Sequence, residues 1–111
     1  MSTPQEQFRA FLDLQRADYR RALPEKLAQL QASWQALDAA AAPPALDGLE
    51  RQAHTLAGTA GTLGFRELGL AAKSLEELLA RAGQGGGALT PVQRTEISQA
   101  LAALLASLPG D

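Results

Sequence analysis

The chain has no cysteine, so neither a disulfide nor a thiolate metal site is open to it. Aromatic residues make up only 5% of its 111 positions, against 46% for the hydrophobic class as a whole. The apolar load therefore rests on leucine and alanine, both strong helix formers. Basic residues nowhere cluster, and the formal net charge is −2. Nothing here would neutralise a row of phosphates, which argues against nucleic acid as a partner. No unbroken apolar run approaches the ~20 residues that span a bilayer. Residues 1–6 carry neither the basic nor the apolar stretch of a secretory leader. The expectation is a cytoplasmic, monomeric protein with no membrane partner, and a cysteine-free chain suits a reducing compartment. A phosphate-binding Gly-x-x-x-x-Gly-Lys-Ser/Thr loop is missing, so nothing points to ATP. There is a single histidine, His54, without the Glu-x-x-His pairs of a metal-binding bundle, so no metal ligands are predicted.

What is present is helical periodicity, punctuated by proline and glycine. The length fits a single domain over residues 1–111. Thr3-Pro4-Gln5-Glu6 reads as a capping-box start, followed by a stripe of Phe8, Phe11, Leu12 and Tyr19. Pro24 is expected to open a second segment, whose seam is Leu23, Leu27, Leu30, Trp34 and Leu37 at steps of three and four. Positions 39–42 and Pro43-Pro44 end it. A third segment starts near Leu46, with Asp47 as the predicted cap and Glu50 its partner. It carries Leu49, Ala53, Leu56, Ala60 and Leu63 inward, and Gly64 stands where a left-handed C-cap belongs, with Phe65 packing back. The fourth helix is lined by Leu68, Ala71, Ala72, Leu75, Leu78, Leu79 and Ala82. Gly83 and Gly85-Gly86-Gly87 read as a flexible connector. Thr90-Pro91-Val92-Gln93 is a second capping box, opening a helix with Ile97, Leu101, Leu104, Leu105 and Leu108 on its buried side. The pattern predicts an all-α, antiparallel four-helix bundle with an additional short N-terminal helix.

Helical phasing places His54. At 100° per residue the seam from Leu46 to Leu63 centres about 130° away from His54, which therefore points off the seam. Its neighbours at three and four residues are Glu50, Arg51, Ala57 and Gly58, with Gly61 a turn further. Gly58 and Gly61 each cost about 1 kcal/mol against alanine in a helix interior, and leave no side chain beside the imidazole. Another protein's active site could then approach the ring. Two plainer readings stand beside this one: a lone helical histidine that is merely solvated, and small residues that serve close helix packing.

The stretch Ala53-His54-Thr55-Leu56-Ala57-Gly58-Thr59-Ala60-Gly61-Thr62-Leu63-Gly64-Phe65 carries a more specific signal. Together with Leu68, Ala71-Ala72-Lys73, Leu75-Glu76 and Leu79 it resembles the histidine-containing phosphotransfer (HPt) family, over a core motif of about residues 46–82. The resemblance implies a phosphocarrier without autokinase activity. His54 would accept a phosphoryl group from a receiver-domain aspartate and pass it to another receiver. It also implies receiver domains and a hybrid sensor kinase as partners, and no cofactor on the chain itself, Mg²⁺ belonging to the receiver. Ala57, Gly58 and Gly61 would give the partner access. One departure is plain: family members usually have lysine where this chain has Ala57. Arg51, the preferred candidate, Lys73 and Glu50 are the charged residues expected to support the site. The competing reading is a non-phosphorylated bundle that docks on a receiver or kinase as an adaptor or inhibitor.

Overall fold

The computed structural model describes residues 2–37, 43–85 and 87–109. They form four α-helices and no strand: α1 (Pro4–Gln35), α2 (Asp47–Thr62), α3 (Arg66–Gln84) and α4 (Pro91–Ala106). A single 3₁₀ turn, Pro43–Leu46, leads into α2. Positions 38–42 and Gly86 lie outside the described residues.

The expected separate N-terminal helix is instead the first half of α1, which runs through Pro24 without a break. A proline inside a helix removes one hydrogen bond, here the one Arg20 C=O would accept. Both residues are exposed, so water can solvate the freed carbonyl. About 60–100° round the helix from Pro24, Leu23 and Leu27 are fully buried and hold the helix to the bundle. A second correction concerns the start of α2. Leu46 holds the cap position with helical backbone angles and no side-chain bond. Because the 3₁₀ turn enters already helical, no extended residue is present to aim a side chain at the first N–H groups, and Asp47 becomes the first helical residue. Asp47 and Glu50 still face the positive end of the helix dipole. Gly83 likewise belongs to α3 rather than to the connector.

The other boundaries follow the sequence. Thr3 Oγ1 accepts from Glu6 N at 3.1 Å, and Thr90 and Gln93 form the reciprocal capping box. Gly64 adopts φ +86°, with Gly64 N–H bonded to Gly61 O and Phe65 N–H to Ala60 O. That pair of bonds is a Schellman cap, and it turns α2 sharply into an antiparallel α3.

The core is one cluster to which every helix contributes. Leu23, Leu27 and Leu30 come from α1, Leu49, Leu56 and Ala60 from α2, Leu68, Leu75 and Leu79 from α3, and Ile97, Leu101 and Leu104 from α4. Trp34 closes one end, donating to Ser98 Oγ at 3.1 Å under the Arg94 guanidinium. At the other end Tyr19 meets Phe65, with ring centroids 6.0 Å apart. Burial pushes the Tyr19 hydroxyl pKa above its usual value. Beyond Tyr19, Arg16 still covers the Phe65 ring, but residues 2–11 are all exposed. Phe8 and Phe11 are exposed, and the radius of gyration, 16.3 Å, exceeds the ~13 Å of a compact chain this long.

α2 and α3 approach closely at Gly69, where an added Cβ would lie 3.3 Å from Gly61 N and 3.5 Å from Ala57 O. Those atoms are backbone and cannot swing aside. Gly69→Val is expected to destabilise the fold by about 1–3 kcal/mol, read as a lower midpoint in urea or thermal unfolding.

Candidate functional site

His54 sits at the middle of α2, on the side away from Leu49, Ala53, Leu56 and Ala60. Its side chain is 72% exposed, as the phasing predicts. Its partner comes from α3: Nδ1 lies 2.5 Å from Glu76 Oε2. The two residues meet because α2 and α3 run antiparallel from the tight turn at Gly64, which brings positions at similar distances from that turn to the same level.

Glu76 differs from an ordinary surface carboxylate. Its side chain is only 16% exposed, and Oε1 is buried with no hydrogen-bond partner among the described residues. Lys73 Nζ stands 3.9 Å from that oxygen, within ion-pair range but beyond a hydrogen bond. A carboxylate withdrawn from water needs compensation, and the imidazole supplies the one short contact. A carboxylate only accepts, so the shared proton belongs on Nδ1. Nε2 is left with its lone pair on the exposed side of the ring. The contact orients the ring and leaves its other nitrogen on the solvent side.

The surroundings are open. His54, Ala57, Gly58 and Gly61 form one wall of a shallow groove, with Gly69, Leu70, Lys73 and Glu76 on the other and Arg66 at one end. A Cβ on Gly58 or Gly61 would meet nothing within 4 Å. Neither glycine's missing side chain is required for packing, and the close approach belongs to Gly69 instead. Arg51 and Glu50 lie on the opposite side of His54, lining a second shallow surface with Asp47 and Glu76. The structure therefore gathers all the sequence-derived site residues around His54, with Lys73 and Arg51 on different flanks. Glu76 and Gly69 were not singled out from the sequence. The signal for Glu76 was available in the hairpin: counted outward from Phe65, the residue after the Gly64 cap, it falls level with His54. No group of three or more His, Asp and Glu side chains among the described residues could hold a metal. Among the same residues no helix is long and apolar enough to cross a membrane.

The described residues form a helical bundle with an oriented, largely exposed histidine in a shallow groove. The Hpt domain family profile matches residues 15–107, and the chain belongs to that family. Hpt domains are phosphocarriers that exchange phosphoryl groups with receiver domains in two-component phosphorelays. No curated protein and no solved structure matches the chain.

Proposed function

We propose that this chain, acting as a single domain, relays a phosphoryl group through His54, taking it from the aspartyl phosphate of one receiver domain and giving it to another. The observation that carries this reading is the His54–Glu76 contact. It leaves Nε2 with a lone pair aimed at solvent, where a partner can reach it.

In the forward step the Nε2 lone pair attacks phosphorus in line. The N–P bond forms while the P–O bond to the receiver aspartate breaks, and that electron pair leaves with the carboxylate. Because Nδ1 keeps its proton, the ring gains positive charge, and the Glu76 carboxylate offsets it. Glu76 thus both orients the base and stabilises its charged product, the role a buried aspartate plays beside a catalytic histidine. The receiver's Mg²⁺ and lysine supply the charge stabilisation on the phosphoryl side. Return of the phosphoryl group to a second receiver is the same exchange run backwards. The docking surface combines the His54 groove, including exposed Leu70, with the open glycine face.

The relay is tested by mixing the chain with a phosphorylated receiver and following label. Acid-labile, base-stable label should appear on the chain and leave it when a second, unphosphorylated receiver is added. Absence of label on the chain across the receivers of the source cell would sink the reading.

The glycine face gives a second test. Gly58→Ala is expected to raise stability by about 1 kcal/mol, or roughly 4 °C in Tm, since its methyl meets nothing. The same substitution should slow transfer from a receiver, because the methyl occupies the approach beside the ring. A variant both more stable and slower would show that the glycine serves access rather than folding.

A further inference from the structure

A phosphoryl group on Nε2 of His54 would place a dianion across the ring from the partly buried Glu76 carboxylate, and position 57, one turn along α2, offers only a methyl. Like charges this close cost free energy unless a cation intervenes. The register of the α2–α3 hairpin identifies which cation is available. From the observed pair His54 and Glu76, three residues forward on α2 and three back on α3 bring Ala57 opposite Lys73. Four more in each direction bring Gly61 opposite Gly69, the close contact that is observed. Lys73 therefore faces Ala57 across the interface, on the groove His54 lines. Its ammonium stands 3.9 Å from Glu76 Oε1, the carboxylate oxygen not bonded to His54.

We infer that Lys73 is the counter-charge for the phosphoryl group, supplied from α3 across the groove in place of a cation on α2. In the unphosphorylated chain it is held near Glu76 without a hydrogen bond and is 59% exposed, so it is free to turn. When the dianion forms, Lys73 moves to the phosphoryl oxygens, which carry more charge and stand in the open groove. Arg51, one turn the other way on α2, lines the α1–α2 groove with Thr55 and Thr59 and also borders His54, but on the flank away from the groove that Lys73 lines. This inference rests on His54 being the phosphoacceptor.

The test is the decay of the phosphorylated chain after removal of the receiver. Lys73→Met keeps the apolar stem and removes the charge, and it should shorten the phosphohistidine lifetime by about three- to tenfold, the scale of a partly exposed ion pair with a dianion. Lys73→Arg should retain most of the lifetime, and Arg51→Gln should leave it unchanged. In the Lys73→Met background, Ala57→Lys should restore it, a rescue that a packing role for Lys73 would not give. An unlabelled wild-type chain would defeat the phosphoacceptor reading itself. A labelled wild type whose lifetime is unchanged in Lys73→Met would overturn this inference alone. A shortened lifetime in Arg51→Gln would overturn it too, assigning the charge to Arg51.

Discussion

His54→Gln is expected to abolish phosphoryl uptake from a phosphorylated receiver while leaving the bundle folded. Glutamine has no nucleophilic nitrogen, and the amide nitrogen carries no lone pair comparable to that of Nε2. It does carry N–H donors that can reach toward Glu76, so the partly buried carboxylate need not lose its contact. The side chain replaced is 72% exposed, and such surface changes stay within about 0.5 kcal/mol of wild type. Label counting on the variant, with helicity and Tm recorded on the same sample, checks both halves. Uptake by the variant at the wild-type rate would move the acceptor elsewhere in the chain.

Glu76→Ala has the second-largest expected effect, slowing transfer without removing the nucleophile. The lost contact is a hydrogen bond to a charged group, worth about 1.5–3 kcal/mol, or roughly ten- to a hundredfold in rate. Two consequences combine. The ring loses the acceptor that holds the proton on Nδ1, and the positive charge that grows on it during attack goes unbalanced. Glu76→Gln separates them, since its carbonyl oxygen still accepts from Nδ1 but carries no charge. An intermediate rate for Gln is expected, with single-turnover transfer from a fixed phospho-receiver as the measurement. Equal rates for Ala and wild type would mean that the carboxylate is a structural neighbour only.

Much of this architecture is written in local sequence, and the exceptions have physical causes. The two Thr-Pro starts, the Gly64 cap and the seams of α2, α3 and α4 depend on neighbours within one turn, and each appears where the sequence places it. Pro24 misleads because a local rule, the helix-breaking ring, is overridden by tertiary burial of its helix neighbours Leu23 and Leu27. Asp47 misleads because the 3₁₀ turn before it changes the entry angle of the chain. At the site, the exposure of His54 follows from its phase on one helix and was legible. Glu76 and Gly69 act across a helix–helix interface, so their roles depend on the register set by the Gly64 turn rather than on their own surroundings. Lys73 was among the supporting charges the resemblance offered, but only the pairing of α2 with α3 sets it opposite Ala57.

We propose that Glu76 holds the proton on Nδ1 and leaves Nε2 of His54 to take the phosphoryl group. The direct measurement is the position of phosphorus on the loaded chain, read by phosphorus–proton correlation NMR under alkaline conditions, with the modified residue located by mass spectrometry. A single phosphoryl group on His54, bonded to Nε2, is the expected result. Phosphorus on Nδ1, or on any residue other than His54, would contradict it.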